Sequence, residues 1–472
     1  MVQIGIILGY FFVVFWVSYI QNKRNHNIQE YVTGSGTLGT LFIVPLILSE
    51  LIGGSATIGV AANGYQYGIA SVWSLVSMGI GCILAVIFVT KFYRVMACKG
   101  AVSAGHSFAM YFDERSRLVV MGINVVVCLI LFSLQPVAAA AIVAPLLGVD
   151  PTLCAWVVGV FFVITAVLGG IKGVAKASVM HTAIMCFGLG LVAVLALKSV
   201  GGFGAVVSAL PETYFDPMQP SKFQVVAWIL GGSINVPAGA VITGAILSSR
   251  SLKEANKSLV LSGLLLVPFS IMISLIGITA KASGMEMSGN SIIFQVANQL
   301  GPVVSGIASM AILAAMLDAG SLLVLSSGSL TRDFYARFIN KDANDIQEGR
   351  ASKIITVILG TIGVVMGIVM PGSLLSKIMG AFQIRACAGL VIMLAMVLKK
   401  LNNDAAFWSI LSGGIVATVW FFAGNPFGVE PLWPSLCVTI LVVIGFLTFT
   451  KEAEYIGYTQ YQKDLENYKD SL

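Results

Sequence analysis

Three ionisable residues sit where charge is expensive. Glu50 lies in the apolar run Pro45-Leu46-Ile47-Leu48-Ser49-Glu50-Leu51-Ile52-Gly53-Gly54-Ser55, Asp318 closes Leu313-Ala314-Ala315-Met316-Leu317, and Arg385 is centred in Gly380-Ala381-Phe382-Gln383-Ile384-Arg385-Ala386-Cys387-Ala388-Gly389. Charges inside such runs face a cavity or a partner, and are functional candidates by default. A carboxylate there can hold a cation or carry a proton, and a guanidinium can grip a carboxylate through two parallel hydrogen bonds. Together the three would suit an amino acid or another small zwitterion or carboxylate. The structural alternative is that Arg385 pairs with Asp318 or Glu50 and clamps helices together.

The elements that must position them are membrane helices. Of the 472 residues 57% are hydrophobic and only 10% charged, more apolar surface than a water-soluble domain can bury. Runs long enough to cross ~30 Å of hydrocarbon number about thirteen. They fall at 2–20, 38–62, 67–90, 118–146, 151–170, 177–198, 222–248, 257–281, 302–328, 352–370, 374–397, 406–424 and 432–450. The runs are continuous and not alternating, which excludes a β-barrel, and the first lacks the small-residue cleavage site of a signal peptide. The fifty glycines suit close helix packing, with a minority marking breaks.

Lys and Arg fix the expected orientation. They gather in alternate loops, at Lys23 and Arg24, at Lys91 through Arg117, at Lys172 and Lys176, at Arg250 through Lys257, at Arg332 through Lys353, and at Lys399 and Lys400. The expectation is therefore an N-terminus outside and a C-terminal tail inside, in a multi-pass protein of the plasma membrane. The tail from Lys451 carries both signs (Glu452, Glu454, Lys463, Asp464, Glu466, Lys469) and reads as a solvated helix end. The seven cysteines sit singly without a C-x-x-C pair and read as small core residues. The histidines show no metal-ligand spacing, and His26 and His106 fall in loops.

Two runs look interrupted: the second around Gly53-Gly54, the seventh at Gly231-Gly232-Ser233-Ile234-Asn235-Val236-Pro237-Ala238-Gly239. Each opens a set of five. Five is odd, so the second set must cross the bilayer upside down relative to the first, giving a 5+5 inverted repeat. A break at mid-membrane frees carbonyls and amides that must face a cavity or ligand. The expected organisation is an extra helix and loop over 1–37, repeats over 38–200 and 201–400, and two further helices with the tail over 401–472.

Residues 28–400 resemble the sodium:solute symporter family. The resemblance rests on Ile52-Gly53-Gly54-Ser55 with Gly59, Asn63-Gly64 and Gly68, then Thr165-Ala166-Val167-Leu168-Gly169-Gly170-Ile171-Lys172-Gly173-Val174, then Ser249-Arg250-Ser251-Leu252-Lys253-Glu254-Ala255. It continues through Leu313-Ala314-Ala315-Met316, Ser326-Ser327 and Leu330-Thr331-Arg332-Asp333. It implies an all-α LeuT-like fold, alternating access, and a cation-coupled symporter importing a small organic solute. Glu50, Asp318 and Arg385 would then all lie near the repeat interface. The coupling ion, sodium in this family, would be held at Ser49, Ile52, Ala314 and Asp318.

Two positions depart from the family's pattern. Where it supplies two hydroxyls, this chain has Leu317 and Asp318, and where it usually carries a Thr-Asp pair lining the ion's exit, this chain has Ala177-Ser178. Leu317 subtracts an oxygen and Asp318 restores charge, so sodium and a proton both remain candidates for the coupling ion. The solute site would draw on Glu50, Gly53, Gln135, Trp228, Asn235 and Arg385, with Pro136, Ser233 and Ser321 nearby. His181 stands where the family has a glutamine, as an interfacial anchor or a proton relay.

Other classes fit less well. No selectivity loop suggests a channel, no H-E-x-x-H, G-x-S-x-G or nucleotide loop suggests an enzyme, and no cofactor is implied. A sensor built on a transporter core usually appends a cytoplasmic signalling domain, and an amino acid permease of the same fold carries different motifs. The expected partners are the solute, the coupling cation and the bilayer, with no nucleic acid and no specified oligomeric state.

Overall fold

The protein is described by a computed structural model covering residues 2–22, 31–32, 36–286, 292–370, 374–449 and 454–471. Lys23, Arg24, His26, Lys451 and Glu452 of the charge pattern lie outside the described residues. Among those residues the chain is helical, with an isolated bridge between Leu38 and Ser249. Nine described helices are long and apolar enough to cross a bilayer, ten when one bent pair counts as a span.

In chain order the main helices are α1 (Val2–Asn22), α2 (Thr40–Ile52), α3 (Gly54–Tyr67), α4 (Trp73–Phe88), α5 (Glu114–Leu147), α6 (Pro151–Ser199), α7 (Lys222–Ile234) and α8 (Ala240–Ser248). They continue as α9 (Leu252–Ala282), α10 (Pro302–Leu317), α11 (Gly320–Leu330), α12 (Asp345–Val369), α13 (Leu374–Val397), α14 (Asn403–Phe422), α15 (Leu432–Phe449) and α16 (Ile456–Asn467). Their starts are set by short polar side chains that accept from otherwise orphaned amides. Asp113 caps α5 through Ser116, Asp150 caps α6 through Leu153 with Pro151 behind it, Asn344 and Gln347 form a capping box on α12, and Asn402 caps α14 through Ala405.

The ladder is interrupted where chemistry was expected, and at two further places. Gly53 (φ 16°, ψ 147°) separates α2 from α3. Asn235 to Gly239 separates α7 from α8, which diverge by 41°. The expected spans 151–170 and 177–198 form one run, α6, because Gly170 (φ 55°, ψ −170°) turns the chain without a loop. Only glycine enters that backbone region freely. The expected span 302–328 is also interrupted: between α10 and α11 the amides of Ala319 and Ser321 bond back to Met316 and Asp318, three residues away, so the turn holding Asp318 is tightened.

Small residues let these helices meet backbone to backbone. A methyl group added at Gly277 of α9 would lie 2.0 Å from the Ala61 carbonyl oxygen of α3, and one at Gly79 of α4 would lie 2.8 Å from that of Gly263. Among the described spans, the one around Asp318 and the one carrying Arg385 are the most enclosed, with 89% of their most apolar stretch buried against 28% for α15. Outer helices instead expose large apolar side chains such as Phe12, Trp16, Phe187, Leu264 and Leu441, as a lipid-facing surface does.

Three surface expectations are corrected. Arg117, expected among loop cations, is buried against Asp333 (3.2 Å), which also accepts from Ser103 and Ser329. His106 belongs to the helix Ala104–Tyr111 and is half-buried. Burial first, then the cations of Arg117, Arg332 and Arg337, push its imidazole down to about 3. The tail is docked and not solvated: Asp464 meets Lys99 at 2.6 Å, and Tyr461 packs edge-on against Phe92 and Tyr111. Alternating apolar and polar residues on a short helix carry no signal for which neighbour will cover them.

Candidate cation and solute site

The first cluster joins both helix breaks. The Arg385 guanidinium of α13 lies 2.8 Å from the Glu50 carboxylate of α2, and both side chains are fully buried. Its Nη2 donates to Asn235 Oδ1 at 2.7 Å, and Asn235 Nδ2 donates in turn to the carbonyls of Gly231 and Gly232 at the end of α7. Space for this comes from glycines: a Cβ at Gly239 would lie 3.1 Å from Arg385 Nη2, and one at Gly389 would lie 1.8 Å from the Ile234 carbonyl oxygen. Of the two sequence alternatives for the arginine's partner, Glu50 is the one in contact.

That ion pair is close but poorly aligned. Neither Glu50 oxygen accepts a well-directed hydrogen bond among the described residues, and Arg385 Nε and Nη1 likewise donate to none. Buried charges are normally saturated with directed bonds, so this pair keeps unused hydrogen-bonding capacity at the centre of the protein.

The first break is satisfied by its neighbours. Gln135 of α5 donates from Nε2 to Ser55 Oγ (2.8 Å) and accepts the Ser55 amide (3.2 Å), while the Thr57 hydroxyl bonds the carbonyls of Ile52 and Gly53. A Cβ at Gly53 would meet Gln135 Nε2 at 3.2 Å, a tight fit against the terminal amide that satisfies the break. The Trp228 ring, buried in α7, lies 6.2 Å from Tyr67. Ser233 is spent on the carbonyls of Ser77 and Ile229.

A second cluster surrounds Asp318, and it does not include the arginine. Asp318 Oδ1 accepts from Ser178 Oγ at 2.6 Å and contacts His181 Nδ1 at 2.7 Å. Its backbone carbonyl accepts from Ser321 Oγ (2.9 Å), which approaches Ser49 Oγ at 3.4 Å. Gly54 packs directly on the Ile312 to Met316 turn that contains Ala314. Ser49 of α2 thus reaches the Asp318 turn through Ser321, and Gly54 at the start of α3 packs on the turn of α10 that contains Ala314. The roles of Ser178 and His181 toward Asp318 were not read from the sequence. Their three-residue spacing on one face of α6 was the available signal.

Two buried polar clusters flanking paired helix breaks, in an all-helical apolar bundle, define a membrane transporter of the broken-helix type. The chain belongs to the sodium:solute symporter family, whose sequence profile matches residues 31–413. It is 22% identical over 479 residues to the osmoregulated proline transporter of Bacillus subtilis (strain 168), with 97% of each chain covered, and 21% identical over 462 residues to the sodium/proline symporter of Escherichia coli (strain K12), covering 93% and 91%. The fold resembles that of a Na+-coupled sialic acid symporter in a substrate-bound outward-open state, with a TM-score of 0.77, 19% identity and coverage of 95% and 98%. Membership makes this a multi-pass plasma-membrane transporter and not an enzyme, and it supports sodium-coupled symport.

Proposed function

We propose that the protein imports a small zwitterionic solute, with an amino or imino acid as the leading class, together with sodium by alternating access. The observation that carries this is the fully buried Glu50–Arg385 pair spanning both breaks. The pair is neutral as a unit. A solute of net charge would leave one buried ion uncompensated, a defect worth about 3–5 kcal/mol, whereas a zwitterion brings a carboxylate for Arg385 and an ammonium for Glu50. Asn235, Gln135, Gly53 and Trp228 would line the same space. The proline transporters among the relatives carry solutes of this charge type.

Sodium would bind at Ser49, Ile52, Ala314 and Asp318, with Asp318 supplying the single charged oxygen that a hard cation tolerates well. Both ligands would favour a shared state by a differential free energy of ~1–3 kcal/mol, which is what couples them. The proposed frame is about thirteen spans, with 38–200 and 201–400 as inverted repeats, the N-terminus outside and the tail inside.

The test is uptake of radiolabelled amino acids into proteoliposomes under imposed gradients. A zwitterion accumulated only with inward sodium, and lost in Arg385→Ala, supports the reading. Accumulation driven by pH and indifferent to sodium would replace sodium with a proton. Preference for a monoanion would remove the zwitterion.

A further inference from the structure

We propose that Ser178 and His181 are positioning residues that fix the Asp318 carboxylate for the coupling cation. This rests on the reading of Asp318 as a cation ligand.

Asp318 leaves the backbone at the tightened turn between α10 and α11, where the regular helical ladder stops. Its side chain there has no support from its own helix. The support comes from α6, where Ser178 and His181, three residues apart, both engage the same oxygen, Oδ1. All three residues are at least 98% buried. The Tyr10 ring of α1 meets the His181 ring edge-on, with centroids 5.8 Å apart, and so holds the plane of the imidazole.

The histidine serves best as a neutral donor. Its Nε2 is buried and makes no hydrogen bond among the described residues, so an imidazolium would bury an unsatisfied charged N–H. A neutral ring with the proton on Nδ1 donates to Asp318 and leaves the carboxylate's charge intact. No lysine or arginine makes an ion pair with Asp318 among the described residues, and Arg385 is held by Glu50. The result is one negative group with one oxygen saturated by two neutral donors. Oδ2 is the oxygen left to face a cation.

The arrangement matters because a carboxylate that swings on its χ angles must be ordered each time an ion binds. Groups behind a metal ligand that remove this freedom are typically worth 10–100-fold in affinity. Ser178 and His181 stand behind Asp318 in that sense. Ser321 does the same for the backbone, tying the Asp318 carbonyl toward Ser49 of α2.

The experiment is a sodium titration against choline chloride at constant ionic strength. It follows both uptake in proteoliposomes and sodium-dependent thermal stabilisation of purified protein without solute. Ser178→Ala and His181→Ala should each raise the half-saturating sodium concentration about tenfold, with solute KM and maximal rate at saturating sodium near wild type. His181→Asn, which keeps a donor at that place, should recover most of the sodium affinity, and Ser178→Ala carries the test if the histidine-to-alanine variant fails to fold. In an Asp318→Asn background, already weak for sodium, Ser178→Ala should add nothing further. Unchanged sodium affinity in Ser178→Ala and in His181→Ala, alongside loss in Asp318→Asn, overturns the positioning role and leaves the cation site standing. Full sodium dependence in Asp318→Asn overturns both.

Discussion

Glu50 and Arg385 lie 335 positions apart in the chain and meet at 2.8 Å, fully buried, between the two broken helices. The contact fixes what substitution should do. Removing one partner strands the other in a low-dielectric interior, a cost of about 3–5 kcal/mol. Arg385→Ala and Glu50→Gln should each lower thermal stability in detergent and abolish uptake. The double variant Glu50→Gln/Arg385→Gln removes both charges, so it should recover most of the stability while remaining inactive. Recovery of stability is read from unfolding temperatures, and any restored uptake in the double variant would mean the pair only clamps helices.

Gly389 tests whether that clamp depends on backbone contact. A Cβ there would fall 1.8 Å from the Ile234 carbonyl oxygen, beside the Asn235 that holds Arg385. Gly389→Ala must push α13 away from the break, and overpacking of this kind costs about 1–3 kcal/mol. Reduced folded yield together with lost uptake is expected. Wild-type uptake would mean that the separation of α13 from α7 is not critical.

The sequence carried the charged residues openly, because hydrocarbon makes any ion conspicuous. It also carried both breaks, because Gly-Gly weakens a helix ladder and Asn-x-Pro takes a donor out of it. The choice between Glu50 and Asp318 as the partner of Arg385 was not legible, since two acids at similar depth differ only in three-dimensional direction. Asp318 and Ser178 looked like two separate departures from the family pattern. In the fold they touch at 2.6 Å, a hydroxyl and a carboxylate on opposite sides of one interface between α6 and the end of α10. The tightened turn at Asp318 and the docking of α16 were not legible, because Gly320 in the first is one of fifty glycines that mostly serve packing and the second is a short mixed helix.

His106 gives a dependence on pH. Its folded-state pKa of about 3 lies below the ordinary histidine value near 6.5. The unfolded chain therefore binds the extra proton first, and stability present above 6.5 is lost as pH falls from there toward 3. His106→Gln removes the titrating group. The unfolding temperature of the wild type should drop more between pH 7 and pH 5 than that of the variant. Parallel curves would mean that burial and the surrounding arginines do not keep the ring neutral.

The docked tail predicts a stability effect remote from the transport site. Tyr461 is buried on Phe92 and Tyr111, and Lys99 holds Asp464. Tyr461→Ala should cost about 1–3 kcal/mol and expose the tail to limited proteolysis, with solute KM unchanged. Proteolysis equal to wild type would return α16 to the solvated role that its charges first suggested.

The two broken helices are also tied together at the end that the positive-inside pattern assigns to the cytoplasm. Leu38, just before α2, bonds the Ser248 carbonyl through its amide and accepts from the Arg250 amide just after α8. From α9, Glu254 accepts both the Thr40 amide and hydroxyl, at 2.7 and 2.6 Å, and so closes the start of α2. Alternating access needs the two halves to separate at each end in turn, and here separation must break this bridge. The bridge is parallel, and backbones paired in this way lie about 4.7–4.9 Å apart, within the Cα span of a disulfide. Leu38→Cys/Ser249→Cys should therefore transport under reducing conditions, lose uptake on mild oxidation and regain it with dithiothreitol. Each single-cysteine variant controls for the seven native cysteines. Uptake that survives complete cross-linking would place the moving gate elsewhere and make the Leu38–Ser249 bridge a fixed seam of the fold.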